Sequence, residues 1–371
     1  MSDRRKCDLL LVGQTPPPYH GQAVVTAMLF EHNWQTLDVE TLRMAYSDSL
    51  DSVGKASVAK IFHLFELVLQ TWKLALTKRP TTLYYLPASA NRTPVIRDII
   101  YLLLVRWCFR RKVFHYHAGG LPEFLAEAGI LGKLGRLAYR GADVSIEICE
   151  TDLPPAQAFG ARRRAIVPNG LDVNILPRQR AANAPCRILF VGGLNEGKGI
   201  LEILKTARAL RERESPEFEM LLVGAWASGE FEAEATAYIE EHQLGELVAF
   251  GGVLKGDDKW QAYADADVFF FPSHYASENF PLVLIEAMAC GLPIVSTNWR
   301  GIPQLVDGSG CATLCEPRST GEFADAIGAL LSDQALREQM GKRSRNHYAD
   351  HFTEAKFIST MEEIFTGVCQ C

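Results

Sequence analysis

Strand-length apolar runs alternate with helix-length amphipathic segments along this whole chain, and the alternation restarts near its middle. A strand that is apolar on both faces must be covered on both, and crossover helices supply that cover, so the rhythm restricts the chain to parallel α/β sheets. In the first half the strand-sized runs are residues 8–12, 39–43, 82–86, 113–116, 144–148 and 165–167. Helical segments 22–32, 58–76, 94–109 and 131–140 lie between them. The second half begins again at 187–191 and continues with 219–223, 248–250, 268–271, 294–297 and 313–315. Helices over 319–331, 333–347 and 353–365 follow, with Ser319, Asp333 and Thr353 as expected caps. With 371 residues the chain exceeds the ~250–300 residues at which single cores stop growing, so two doubly wound domains are predicted. Residues 172–185, with Asn183-Ala184-Pro185 and no periodicity, read as the linker between them.

Composition excludes several classes. A chain with 48% hydrophobic and 22% charged residues has an ample core and is not disordered. The start of the chain shows no signal-peptide apolar region, and the longest uncharged apolar stretches, 99–105 and 287–295, fall short of the ~18 residues of a membrane span. Nine cysteines without a C-x-x-C pair argue against a disulfide framework or zinc site and for reduced thiols in the cytoplasm. Charge is uneven: residues 1–175 carry 21 Lys and Arg against 16 Asp and Glu, a net +5, and residues 176–371 carry 17 against 28, a net −11. Nothing in this balance suggests a nucleic-acid partner, but the first half could meet an anionic surface.

In open α/β sheets ligands bind beyond the carboxyl ends of strands, where helix N-termini gather N–H groups. Three turns qualify: residues 13–22, 117–120 and 192–199. None spells G-x-G-x-x-G. Gly192, Gly197 and Lys198 fit G-x-x-x-x-G-K, but a P-loop next needs Ser or Thr to ligate magnesium, and Gly199 stands there. A lysine at a helix start opposes the helix dipole unless an anion is present, which favours Lys198 as a phosphate contact. Asp265 and Asp267 form a D-x-D pair just ahead of a buried strand, where strand-end geometry accounts for them, so no metal is expected.

The stretch 271–295 is the most informative. Glu278 lies in a polar loop after a buried strand, and Glu286 lies inside an apolar helix with Leu282 and Ala289 as its i−4 and i+3 neighbours. A carboxylate there needs hydroxyl or amide partners, since burial without them costs roughly 1–3 kcal/mol or more. Ribose hydroxyls would satisfy it.

With these residues the chain resembles the retaining glycosyltransferases of family 4, glycosyl transferases group 1. The resemblance is carried by His20-Gly21, His117, residues 168–172, Phe190-Val191-Gly192 through Lys198-Gly199, Leu222-Val223-Gly224, Phe250-Gly251, residues 266–273 and the Glu278/Glu286 pair, and it covers nearly the whole length. It implies the GT-B fold: two Rossmann-like domains facing across a cleft. An acceptor-binding domain over 1–172, a linker over 173–186 and a nucleotide-sugar domain over 187–350 are expected, with residues 351–371 forming a helix that packs back toward the first domain. By the same resemblance Glu278 contacts the donor sugar and Glu286 the nucleotide ribose. Asn279, Phe280 and Leu282 present backbone N–H groups to donor, Lys198 neutralises the departing diphosphate, Gly21 permits close approach to it, and His117 lies over the sugar. Gly193 also falls in the donor turn, but the family commonly has a basic residue, often arginine, at that position. Losing one such cation could cost on the order of 1.5–3 kcal/mol. Arg162, Arg163, Arg164, Arg187 and Arg300 are compensating candidates by residue type only.

The implied function is transfer of a hexose-type sugar, with retention, from a nucleotide-diphosphate sugar to a hydroxyl acceptor, without cofactor or metal. A lipid-linked oligosaccharide or cell-surface polysaccharide is the preferred acceptor. Lys73, Lys78, Arg79, Arg106 and Arg110 to Lys112 suggest peripheral contact of the first domain with an anionic membrane on its cytoplasmic face, although most of the apolar stripe over 94–109 is expected to be core. The rival readings are another two-Rossmann sugar enzyme, a phosphorylase or epimerase, and a non-catalytic nucleotide-sugar-binding subunit.

Overall fold

A computed structural model describes residues 7–17, 21–44, 58–181, 183–276 and 278–370; His20, Ser277 and Cys371 lie outside the described residues. The chain divides into two compact units. One ends at Gly170 and takes in the C-terminal residues from Glu354, and the other runs from Leu171 to Thr353.

The first unit holds a parallel sheet of β1 (Leu9–Gly13), β2 (Val39–Arg43), β3 (Thr82–Tyr85), β4 (Arg111–Tyr116), β5 (Val144–Glu147) and β6 (Arg163–Ile166), in the spatial order β2-β1-β3-β4-β5-β6. β1, one in from the edge, places Leu9 opposite Val39 on one side and Thr82 on the other. The helices are α1 (Gly21–Glu31), α2 (Val58–Thr77), α3 (Arg92–Val105), α4 (Leu121–Glu127), α5 (Gly129–Tyr139) and α6 (Pro155–Ala158). On one sheet face Leu10, Val12, Leu83, Tyr85 and Phe114 pack with Leu64 and Leu67 of α2, Ile99 and Leu102 of α3, and Tyr139 of α5. Asp98 is buried in that layer and accepts hydrogen bonds from Tyr85 Oη (2.8 Å), Tyr139 Oη (3.1 Å) and the Ala88 amide (2.7 Å), which is how a core carboxylate is tolerated.

Two sequence expectations change here. The helix expected over 94–109 ends at Val105 and tightens into a single 3₁₀ turn, Arg106–Cys108. Arg106, expected to face a membrane, instead donates to the carbonyls of Leu137, Ala138 and Arg140 at the end of α5, where a cation complements the helix dipole. Arg111 pairs with Asp143 at 3.1 Å and Lys78 with Glu40 at 2.7 Å. Helix α4 escaped the periodicity reading, although Pro122 in its first turn was its signal.

On the opposite sheet face the C-terminal helix covers Tyr84, whose ring meets Phe365 edge-on at 5.3 Å. Cys369 on that helix lies 3.4 Å from Thr82 Oγ1, so it takes part in this packing. Tyr84 Oη shares a 2.7 Å hydrogen bond with His115 Nδ1. Burial, with the adjacent His117, holds the His115 imidazole well below its usual 6.5. The folded state therefore keeps this ring neutral while the unfolded chain takes up a proton below pH 6.5, so stability is full above that pH and falls as pH drops toward the folded pKa. Loss of up to about 1.4 kcal/mol per pH unit is expected from this group. His115→Asn, which keeps a polar atom near Nδ1, should flatten that slope in urea unfolding compared at pH 7 and 5.5; equal slopes in the two proteins would refute the assignment.

The second unit repeats the architecture with β7 (Cys186–Val191), β8 (Phe218–Val223), β9 (Val248–Gly252), β10 (Val268–Phe271), β11 (Ile294–Thr297) and β12 (Ala312–Cys315), ordered β12-β11-β10-β7-β8-β9. Its helices are α7 (Ile200–Glu212), α8 (Gly229–Glu241), α9 (Gly256–Ala264), α10 (Leu282–Ala289), α11 (Ile302–Val306), α12 (Thr320–Ser332) and α13 (Gln334–His351), and the C-terminal helix of the first unit is α14 (Glu354–Gln370). Asp333 caps α13 by accepting from the Leu336 amide at 2.9 Å, whereas Ser319 makes no side-chain cap bond to α12. The segment read as linker runs along this unit: Gln179 and Arg180 amides donate to Asp265 Oδ1 (2.7 and 3.1 Å), and Arg178 grips Asp267 (2.8 and 3.2 Å). Both acids of the D-x-D pair thus hold backbone and arginine at the amino-terminal end of β10.

In each sheet the chain reverses direction of growth beside its first strand. β7 is followed outward by β8 and β9, after which β10 returns to the other side of β7. The carboxyl ends of β7 and β10 therefore flank the topological switch point, and β1 and β3 do the same in the first unit.

Candidate active site

Lys198 and Glu278 come from the two loops that leave this switch point. After β7, Asn195 caps a 3₁₀ turn, Glu196–Lys198, by accepting from the Lys198 amide at 3.0 Å. Gly199 then takes φ 80°, and a Cβ there would lie 2.4 Å from the Pro272 carbonyl oxygen. Ser or Thr cannot occupy that place without moving the β10 loop, a structural reason why the P-loop pattern breaks off at Gly199. The two loops are stitched together by the His274 amide donating to the Gly197 carbonyl at 2.8 Å.

Lys198 Nζ sits 2.5 Å from Glu278 Oε2 and about 5 Å above the rings of Phe271 (5.2 Å) and Tyr275 (5.3 Å). Ser273 Oγ donates to the same Oε2 at 2.7 Å. The ammonium has three N–H donors, so one bond to Glu278 leaves two for a ligand. Glu278 Oε1 makes no hydrogen bond among the described residues. The loop itself is fixed from behind: Thr297 Oγ1 donates to the Ser273 carbonyl (2.5 Å) and Trp299 Nε1 to that of Tyr275 (2.9 Å). Asn279 and Phe280 follow, and Pro281 leads into α10, whose first residue is Leu282. The opening N–H groups of a helix lack intrahelical acceptors, so this end, four residues after the Glu278 that pairs with Lys198, presents donors.

Glu286 is buried in α10, but it is not without protein partners, as its own helix suggested. Lys259 Nζ lies 2.6 Å from Oε1, and Tyr263 Oη donates to Oε2 at 2.7 Å, both reaching over from α9. Burial and the adjacent carboxylate push the Tyr263 phenol well above its ordinary value, so it stays a donor. Reading only i±3 and i±4 neighbours missed these contacts, though Lys259 and Tyr263 are themselves four apart on one helical face.

The structure brings Lys198, Glu278, Asn279, Phe280, Leu282 and Gly193 into one loop cluster of the second unit. Gly193 is exposed there, and a Cβ on it would meet only the Asn195 side chain, at 3.4 Å. His117 and Gly21 belong to the first unit. His117 follows β4 with 9% exposure and its ring 4.1 Å from that of His115; Gly21 opens α1. Ser273 entered the sequence reading only as part of the family resemblance, without a role, and His274 and Tyr275 were given none. The ring nitrogens of His274 are shielded and make no hydrogen bond among the described residues. A cavity of about 1070 Å³ opens at the other edge of the sheet, beside Arg178, Asp267 and Pro293 at strand starts, and so lies away from this cluster.

Residues 174–347 match the family model for glycosyl transferases group 1. The second unit belongs to glycosyl transferases group 1. Among curated proteins the chain is 28% identical over 338 residues to the amylovoran biosynthesis glycosyltransferase AmsK of Erwinia amylovora, covering 78% of this chain and 75% of that one. It is 30% identical to a D-inositol 3-phosphate glycosyltransferase of Paenarthrobacter aurescens, covering 55% and 52%, and 29% identical to the putative colanic acid biosynthesis glycosyltransferase WcaL of Escherichia coli, covering 58% and 54%. The aligned region thus spans about half the length of these last two relatives. Sucrose-phosphate synthase of Thermosynechococcus elongatus superposes with a TM-score of 0.72 at 18% identity, covering 97% of this chain and 98% of the other. Anabaena HepE in complex with UDP superposes with 0.68 at 16%, covering 97% and 100%. The α/β architecture of two parallel six-stranded sheets is therefore that of GT-B glycosyltransferases. In the group 1 unit the matched segment contains the whole loop cluster around Lys198, Glu278 and Glu286.

Proposed function

We propose that this chain is a retaining glycosyltransferase that moves a hexose-type sugar from a nucleotide diphosphate, UDP in the first instance, to a hydroxyl of a lipid-linked oligosaccharide or growing cell-surface polysaccharide. The observation that carries the donor reading is the pairing of Lys198 with Glu278 at the β7/β10 switch point, directly before the N-terminus of α10. In this reading the Lys198 ammonium and the α10 amides receive the diphosphate, the free Glu278 oxygen takes sugar hydroxyls, and Glu286 takes the ribose. His117 is the contact from the first unit, over the sugar, and Gly21 permits approach to the phosphates. HepE, solved with UDP, supports the choice of nucleotide, and AmsK and WcaL, named for amylovoran and colanic acid biosynthesis, support the acceptor class.

Thermal unfolding with UDP, GDP, ADP and dTDP tests the donor site: the right nucleotide at about 100 times its Kd adds about 2.7 kcal/mol of stability. No shift with any of them would remove the assignment. Turnover is expected to survive EDTA, because Lys198 and the loop amides can balance diphosphate charge. Activity abolished by the chelator and restored by manganese or magnesium would overturn the metal-independent reading.

A further inference from the structure

Helix α2 has three faces rather than two. Leu64, Leu67, Val68 and Thr71 are buried in the core; Glu66, Lys73 and Thr77 form a polar edge. Between these lies a third stripe of large apolar side chains left in the open: Phe62 (71% exposed), Phe65, Leu69 (60%), Trp72 and Leu76 (74%). An amphipathic surface helix with one apolar face needs no such stripe. Ile96, Ile100 and Leu104, four apart on α3, are exposed as well, and Trp72 Nε1 donates to the Leu104 carbonyl at 3.1 Å, which joins the two helices. Trp107, 75% exposed, follows at the end of α3. A contiguous apolar surface two helices wide marks a contact site on a water-soluble domain.

Charge selects the occupant. Residues 58–112, which contain both helices, carry ten Lys and Arg against two Asp and Glu. Several of these cations are engaged internally, as Arg106, Arg111 and Lys78 are, while Lys73, Arg79 and Arg110 remain exposed. The 3-4-3-4 spacing of Phe62, Phe65, Leu69, Trp72 and Leu76 also suits helix pairing. A second copy, however, would bring two cationic segments together, whereas an anionic bilayer complements them.

We propose that the α2/α3 ridge seats the first unit in the interfacial layer of a bilayer containing anionic lipid, with the apolar side chains inserted and Lys73, Arg79 and Arg110 at headgroup level. Insertion carries the affinity and the few exposed cations add to it. This inference stands apart from the donor reading, and UDP-induced thermal stabilisation reports on that reading separately.

The full chain is expected to cosediment with phosphatidylglycerol/phosphatidylcholine vesicles. It should retain a good part of that binding at high salt, with tryptophan emission shifting to the blue, less so in Trp107→Phe. The triple variant Phe62→Gln, Leu69→Gln, Leu76→Gln should partition about tenfold less or lower, with its unfolding temperature and UDP response unchanged. The fluorescence comparison decides the matter if that variant does not fold. Failure to bind vesicles, binding that is abolished by salt yet indifferent to the triple substitution, or a concentration-dependent dimer that the triple variant dissolves would each overturn the proposal.

Discussion

Lys198→Ala is expected to lower turnover by about 10²-fold, more than it weakens donor binding, because deletion of one preorganised electrostatic donor has that order of effect. Charge builds on the diphosphate as the glycosidic bond breaks, so a fixed cation acts more strongly on the transition state than on bound donor. The geometry adds a second expectation. Lys198 is the counter-charge of Glu278, whose side chain is only 9% exposed, so truncation leaves a nearly buried carboxylate with Ser273 alone. Loss of about 3 kcal/mol of stability should follow, at the lower end for a broken buried pair because the lysine itself is partly solvated. Lys198→Arg keeps a cation within reach and should recover the stability. Steady-state kinetics on both variants, each measured below its own unfolding transition, separate the two effects. Near-normal kcat in a folded Lys198→Ala protein would sink the diphosphate role.

Gly193 bears on the same clamp. Its backbone has no positive φ, it is exposed, and only Asn195 stands near the position of a new Cβ, so the turn has room for a long side chain. Gly193→Arg in the Lys198→Ala background is therefore expected to return part of the lost kcat. A folded parent protein that binds nucleotide but turns over no donor would instead favour the non-catalytic reading.

The alternation of apolar runs was enough to find the twelve strands of the described residues to within two residues, because strands buried on both faces leave an unambiguous pattern. Lys198 and Glu278 were singled out for a related reason: each lies in a loop that leaves such a strand, and topology brings those strand ends together. What could not be read was anything set by the approach of two helices. Lys259 and Tyr263 meet Glu286 across the α9/α10 contact, with no local sequence signal for that distance. Arg106 was mistaken for a surface cation because its acceptors, the last carbonyls of α5, lie more than thirty residues away. The exposed stripe of α2 was missed for the opposite reason. Apolar periodicity alone cannot say which of two apolar faces the core will take.

Because of those cross-helix partners, Glu286 needs a more discriminating test than removal. In Glu286→Ala, Lys259 and the buried Tyr263 hydroxyl both lose their acceptor, so reduced stability by itself would say nothing about ribose. Glu286→Gln keeps a carbonyl oxygen for Tyr263 and removes the charge and one strong acceptor. Its affinity for UDP is expected to fall about tenfold or more, the effect of charge-assisted hydrogen bonds worth about 1.5–3 kcal/mol. Lacking both ribose hydroxyls, the 2′,3′-dideoxy analogue of UDP should bind the unsubstituted protein about as weakly as UDP binds Glu286→Gln, and the substitution should then cost it little more. That near-zero second step is what a direct contact requires, since a pair already broken from one side cannot be broken again. Calorimetric titration of both nucleotides into both proteins completes the cycle. Equal losses for UDP and its dideoxy analogue would mean that Glu286 acts through the α9/α10 packing alone, with Lys259 and Tyr263 as its whole purpose.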